Sequence, residues 1–266
     1  MKNTRCTASG IFLSLTNPLL CGKIKYITPT GGDTVPSKLK IKYTARDEAW
    51  LDGGEVAVPI EITVCDGVAE IEYYRSAKDI VDEFVHLYGE NEDTLFSREA
   101  IAFAAQKFGT FLTSRGFELS PDSEDYYINF ALPACEVAAQ SSICRLDGTV
   151  EYEDLTDTDI DGLISGGYII YAALVDNKIV ALANTGEPID EDTPKTVEIG
   201  VDTAEDYRRR GLGKACVSAL VSELSQLGHT AIYECASGNI ASVCLTESLG
   251  GTVIYKKYYA VGFLDE

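Results

Sequence analysis

The chain has 266 residues, 45% of them hydrophobic and 24% charged, the balance of a soluble globular protein long enough for one large or two modest domains. Its net charge of −20 argues against nucleic acid or an anionic membrane as a partner and favours a cationic acceptor such as an amine. The eight cysteines, at positions 6, 21, 65, 135, 144, 216, 235 and 244, form no Cys-x-x-Cys pair, and the histidines are His86 and His229; no zinc spacing or Cys-His nucleophile is expected, and scattered thiols suit a reducing cytoplasm.

Near the start, Lys2 and Arg5 precede Ile11, Phe12 and Leu13, but Ser14, Thr16, Asn17 and Pro18 interrupt the apolar run, so a signal peptide and a membrane span are not expected. Residues 38–44 alternate as a strand, and 55–74 read as a hairpin about Cys65-Asp66-Gly67, with Pro59 placing its first strand at a sheet edge. Two helices follow. One covers 76–87, opened by a Ser76 cap with Asp79 three residues on; the other covers 97–114, with Ile101, Ala104, Ala105, Phe108 and Leu112 on one face. Residues 126–130 suit another short strand, and Tyr73, Tyr74, Phe84 and Tyr88 suit the lining of a pocket or, as aromatics on amphipathic elements more often are, the core. Residues 1–145 thus form an α+β domain.

In residues 146–266, the first strand falls on 141–146 or on 149–152, and the pattern does not choose. A short helix over 157–165 precedes a hairpin over 168–184 that turns at Asp176, Asn177 and Lys178. Val197, Ile199 and Val201 alternate with Glu198, Gly200 and Asp202, the period of a strand with one apolar face. Val217, Leu220, Val221, Leu224 and Leu227 then recur at helical spacing, so 213–227 is an amphipathic helix stopped by Gly228. Ala231 begins a further strand, and strand, helix, strand at this spacing makes a parallel crossover. Cys216 and Cys244 sit on apolar helix patterns and are expected to be buried.

The turn between that strand and helix is where chemistry concentrates. Residues 1–145 carry 14 Lys/Arg against 21 Asp/Glu, a net −7, and 146–266 carry 8 against 21, a net −13. Of those 8 cations, Arg208, Arg209, Arg210 and Lys214 flank Gly211 and Gly213. A helix N-terminus leaves N–H groups unpaired and carries the positive end of the dipole, worth about 0.3–1 kcal/mol to an anion. Read singly, the glycines also suit a plain tight turn and the arginines a solvated face. The spacing excludes a Gly-x-x-x-x-Gly-Lys-Ser/Thr loop, because Arg208 and Ala215 stand where glycine and Ser/Thr are required, and a dinucleotide fingerprint lacks its third glycine.

Taken together, Arg208-x-x-Gly211-x-Gly213 after a strand, with Tyr207 before it, resembles the pyrophosphate loop of the GNAT superfamily of acyl-coenzyme A N-acyltransferases. Asn239-x-x-Ser242-x-x-Leu245, ending at Gly250, resembles the family's second block. The resemblance covers roughly the last 100 residues. It implies a mixed twisted sheet flanked by helices over 146–266, with the N-terminal α+β domain packed against it as a possible contributor to the acceptor site. It also implies acetyl-CoA as co-substrate, no metal, and a small-molecule or peptide amine as acceptor. Arg208, Arg209, Arg210, Gly211, Leu212, Gly213, Lys214 and Ala215 would cradle the pyrophosphate; backbone groups of Ile199 to Val201 would meet the thioester, and Asn239 and Ser242 the coenzyme. Asn239 and Ser242 suit helix capping as well. Family members usually place two helices after the first strand, whereas only 157–165 is available here. Glu198, on the strand before the loop, is the candidate base, although an exposed strand glutamate is also simply solvated. Many members carry an acidic Tyr seven residues after the motif Asn, where this chain has Thr246; the alternatives are water, Tyr255, Tyr258 or Tyr259, or a non-catalytic acyl-CoA-binding module.

Overall fold

The computed structural model describes residues 38–48, 50–51, 55–134, 142–149, 152–156 and 158–264. Its first half forms β1 (Lys40–Arg46), β2 (Trp50–Leu51), β3 (Val56–Cys65) and β4 (Val68–Tyr74), then α1 (Lys78–Tyr88), α2 (Glu92–Leu95) and α3 (Arg98–Thr113), then β5 (Phe117–Leu119) and β6 (Tyr127–Leu132). The second half forms β7 (Ile143–Arg145), β8 (Glu153–Asp154), α4 (Ile160–Ser165), β9 (Ile170–Val175), β10 (Lys178–Thr185), β11 (Thr196–Thr203), α5 (Leu212–Gln226), β12 (Thr230–Ala236), α6 (Ile240–Ser248) and β13 (Thr252–Leu264). The α+β class expected from the sequence is what the chain adopts.

These strands join one mixed sheet in the order β1-β4-β3-β13-β6-β12-β11-β10-β9-β7, with β2, β5 and β8 added beside β3, β13 and β10. Both tight hairpins turn on left-handed residues, Asp66 (φ 50°) with Gly67 (φ 71°), and Asp176 (φ 50°) with Asn177 (φ 62°). That geometry matches the twist of the flanking strands. β11 and β12 pair in parallel, as a crossover through α5 requires. The sheet runs across the 145/146 position: β6, from the first half, lies between β12 and β13 of the second, antiparallel to both.

Burial follows strand alternation. Ile60, Ile62 and Val64 of β3, Ile71 of β4 and Tyr258 of β13 pack under Val81 and Phe84 of α1 and Ala104, Phe108 and Leu112 of α3. Further along the same face, Phe130, Val197, Ile199, Ala231 and Tyr233 pack under Val217, Leu220, Val221 and Leu224 of α5. Ile160 of α4 covers Ile170, Ala172 and Leu182 on the other face of β9 and β10. Beyond α4 that second face is polar: alternation places Glu61, Thr63, Lys257, Tyr259, Tyr127, Asn129, Tyr255, Glu234 and Glu198 on it.

Several local expectations are corrected. Pro59 is in an interior strand, because β3 pairs with both β4 and β13. It is tolerated where β13 skips from Ala260 to Gly262 and before β4 pairing starts at Ile60, so its missing N–H breaks no ladder bond. Its neighbour Val58 is satisfied instead by side chains, its N–H donating to the Tyr74 hydroxyl (3.1 Å) and its carbonyl accepting from Arg46 Nη2 (2.7 Å). Ser76 does not cap α1, whose cap position is Ala77; its hydroxyl donates to Glu48. Ser97 does cap α3, accepting from the Ala100 N–H at 3.2 Å. Of the α5 apolar stripe, Leu227 is exposed, since the helix ends at Gln226 and Gly228 reverses the chain. Cys216 is buried, whereas Cys244 is exposed, because α6 packs inward through Val243 and Leu245. The strand beside β9 falls on Ile143–Arg145, within the first of the two candidate stretches; the second contains 150 and 151, outside the described residues. Among the described residues no helix is long and apolar enough to cross a membrane.

Candidate active site

The anion-accepting turn begins where β11 ends. After Thr203 the chain makes a single 3-10 turn over Glu205–Tyr207, and Arg209 (φ 60°) and Gly211 (φ 78°) take left-handed conformations that bring it into α5. Gly211 is the N-cap and supplies no side-chain hydrogen bond, and α5 has no acidic residue in its first turn. The helix ladder starts with the Ala215 N–H donating to the Gly211 carbonyl at 3.0 Å, so the N–H groups of Leu212, Gly213 and Lys214 have no acceptor within the helix.

Glycine is required at two positions for two reasons. At Gly211 the backbone is left-handed and the space beside it is open, with nothing within 4 Å of an added Cβ. At Gly213 a Cβ would stand 2.9 Å from Thr203 Oγ1 and 3.3 Å from Val201 Cγ2, so glycine is what lets α5 lie close against the end of β11. The cations are partly occupied in holding this loop: Arg208 Nε donates to the Thr203 carbonyl (3.1 Å), Arg210 Nη2 to the Asp206 carbonyl (2.6 Å) while covering the Tyr207 ring at 4.8 Å, and Lys214 Nζ to the Ser248 carbonyl (3.0 Å). All four remain exposed, so their charge faces solvent at the helix mouth. The geometry fits a phosphate-bearing ligand.

Next to this mouth the sheet forks. β11 and β12 pair at Thr196–Thr230, Val197–Ala231 and Glu198–Ile232, and both strands then continue, to Thr203 and Ala236, without further pairing to each other. Ile199 and Val201, the expected backbone donors, lie on β11 just past the point of separation. Glu198 is the last paired residue before it.

Glu198 projects onto the polar face, opposite α5. Burial, reinforced by the negative charge of Glu234 and Glu187 and opposed by Lys257, pushes its carboxyl from 4.5 up to about 7. That is the range in which a carboxylate can exchange a proton at neutral pH. Its neighbours come from distant segments. Glu234 is on β12, and Asn129 of β6, only 2% exposed, donates from Nδ2 to Glu234 Oε2 at 2.7 Å. Lys257 of β13 pairs with Glu61 of β3 at 3.3 Å, their side chains 12% and 16% exposed. Tyr127 stacks on Tyr259 with ring centroids 5.2 Å apart. Sequence reasoning missed Glu234, Asn129, Lys257 and Glu61; the apolar–polar alternation of β12 around Tyr233 and Cys235 was the only signal for Glu234.

The remaining expected residues are placed as follows. Asn239 is the N-cap of α6, its Oδ1 accepting from the Ser242 N–H at 3.2 Å, and Ser242 Oγ lies 3.0 Å from the Tyr233 hydroxyl. Both therefore fill the structural role of the second block. Thr246 is fully buried and donates its hydroxyl to the Ser242 (3.0 Å) and Val243 (2.8 Å) carbonyls of its own helix. Tyr258 belongs to the α1–α3 core, where burial raises its hydroxyl strongly. Burial and the Tyr127 hydroxyl likewise raise Tyr259. Tyr255 pairs with Asn129 across β13 and β6, which puts it on the same face as Glu198 and Glu234.

The site thus combines an uncapped, cation-flanked helix mouth with a strand fork and a half-buried carboxyl at that fork. The comparisons name the class. Residues 166–260 match the family model of the GNAT acetyltransferases, and the C-terminal region of this chain belongs to the GNAT superfamily. The ribosomal protein bS18-alanine N-acetyltransferase of Escherichia coli strain K12 is 35% identical over 95 residues, 35% of this chain and 62% of that protein. The chain thus spans less than two thirds of the length of that relative. Among solved structures, an acetyltransferase from the GNAT family of Colwellia psychrerythraea is 14% identical with a TM-score of 0.36, covering 66% of this chain and 75% of that one. A ribosomal-protein-alanine N-acetyltransferase from Brucella melitensis is 21% identical with a TM-score of 0.31, covering 40% of this chain and 74% of that one.

Proposed function

We propose that the chain is a cytoplasmic acetyl-CoA-dependent N-acetyltransferase whose amine acceptor attacks the thioester directly while both substrates are bound. The observation that carries this reading is that one strand, β11, carries Glu198 where β12 separates from it and leads at its end into the open α5 mouth. Acetyl-CoA would supply an acetyl group activated as a thioester. The N–H groups of Leu212, Gly213 and Lys214 would receive the pyrophosphate, with Arg208, Arg209 and Arg210 adding positive charge, and the backbone of Ile199 to Val201 lies where the pantetheine arm would pass.

The acceptor reaches the opposite, acidic face. An alkyl ammonium has a pKa of about 10.4, so freeing its lone pair at pH 7 costs roughly 4–5 kcal/mol. Glu198 takes that proton, and Glu187 and Glu234 supply the negative field that draws an ammonium in. Tyr255 is our candidate for returning a proton to the departing thiolate, since Thr246 spends its hydroxyl on carbonyls. The Escherichia coli relative is a ribosomal protein bS18-alanine N-acetyltransferase, which supports a peptide starting with alanine as the first acceptor to try. We further propose that residues 1–145 contribute to the acceptor wall, and 146–266 bind the coenzyme.

Titration calorimetry with acetyl-CoA, followed by thiol release with alanine-initiated peptides and a panel of small amines, tests the reading. Micromolar binding with release of free thiol supports it. Binding without turnover on any amine would favour a non-catalytic acyl-CoA-binding module, and no binding at millimolar ligand removes both.

A further inference from the structure

Asn129 stands out among the polar residues of the second face. It belongs to the first half of the chain, is 2% exposed, and spends its amide on a residue 105 positions away, Glu234. β6 carries it into the site by lying between β12 and β13, opposite Glu234 on one side and Tyr255 on the other. Strand alternation sets the face on which Glu234 lies; the hydrogen bond from Asn129 fixes where along that face its carboxylate sits, against the freedom of three rotatable bonds.

We propose that Asn129 is a positioning residue: by holding Glu234 beside Glu198, it makes the two carboxylates one unit that binds and deprotonates the acceptor ammonium. The inference rests on the reading of Glu198 as the base. The negative charge of Glu234 raises the Glu198 carboxyl, and a cationic acceptor relieves that repulsion when it binds. The charged groups facing Glu198 are Glu234 from β12, Glu187 from the segment after β10, and Lys257 from β13, itself paired with Glu61 of β3. Of these, Glu234 is the one whose place is set by a buried neutral donor, so Asn129 can be changed without altering the charge count.

The test uses the full chain labelled with glutamate carrying carbon-13 in the side-chain carboxyl, the Glu198 signal being assigned by its loss in Glu198→Gln. Asn129→Leu should lower the Glu198 titration midpoint by about one pH unit, a tenfold change in proton affinity. Asn129→Asp, which keeps the shape but adds an anion, should raise it. In a Glu234→Gln background, Asn129→Leu should produce almost no further change, because the two act through one interaction. In thiol-release assays with the peptide acceptor, Asn129→Leu should lower kcat several-fold and shift its acid limb down in pH, leaving the KM for acetyl-CoA in place. The proposal is overturned if folded Asn129→Leu and Asn129→Asp proteins both keep the wild-type midpoint, or if Asn129→Leu shifts it equally with and without Glu234. Loss of acetyl-CoA binding by the wild-type chain, by contrast, strikes the proposed function and leaves the carboxylate coupling to be judged by the titration.

Discussion

Replacing Glu198 with glutamine probes the site without knowledge of the acceptor. Burial and the nearby Glu234 and Glu187 raise the carboxyl from 4.5 to about 7 in the folded chain. Between those values the folded state binds more protons than the unfolded one, so the Glu198 contribution to stability is present at the acid end and is lost as pH rises through the window. At about 1.4 kcal/mol per unit the full effect is roughly 3 kcal/mol, and solvent at the partly exposed side chain reduces it to about 1–3 kcal/mol. Glutamine has no proton to lose. Thermal melts of both proteins should therefore coincide near pH 4.5 and diverge upward, the variant gaining about 2–4 °C per kcal/mol by pH 8. In the same protein, acetyl transfer should fall roughly 100-fold or more while acetyl-CoA affinity is kept. A constant offset between the two melting curves at every pH would refute the reasoning, because it would make Glu198 an ordinary solvated carboxylate.

Gly211→Val forces a β-branched side chain into a left-handed backbone (φ 78°), costing about 1–2 kcal/mol locally, and should abolish acetyl-CoA binding in calorimetry. Lys257→Gln removes the cation that opposes the rise of the Glu198 carboxyl and leaves Glu61 without its largely buried partner. The acid limb of the rate profile should move to higher pH, and denaturant melts should register a loss of a few kcal/mol. Phe108→Ala empties a fully buried position beneath α3 and should cost about 3–5 kcal/mol by urea unfolding. At temperatures where that variant is folded, acetyl-CoA binding should persist, since the cavity lies in the α1–α3 cluster and not in the one under α5.

The strand, glycine turn, helix and parallel strand from β11 to β12 were legible in the sequence because each depends on neighbours in the chain. Period-2 alternation around Glu198, helical spacing from Val217 to Leu224, and left-handed turns at Asp66-Gly67 and Asp176-Asn177 are local choices of backbone and solvent exposure. The anion-accepting mouth belongs to the same class, since a helix N-terminus follows from where the helix starts. The surroundings of Glu198 do not. Asn129 and Glu234 meet only because β6 inserts beside β12, a pairing across 105 residues that alternation within either strand cannot specify. Lys257 and Glu61 meet through β13 and β3 in the same way. Pro59 was misplaced at an edge because its tolerance depends on a register skip in a partner strand 200 residues on. Thr246 stood where the family motif points, yet burial turned its hydroxyl back onto the carbonyls of its own helix. The sequence by itself thus determined the glycine turn into α5, whose chemistry is unpaired backbone N–H groups. Only the tertiary structure decided the polar face around Glu198, whose chemistry is side-chain charge held together by long-range strand register.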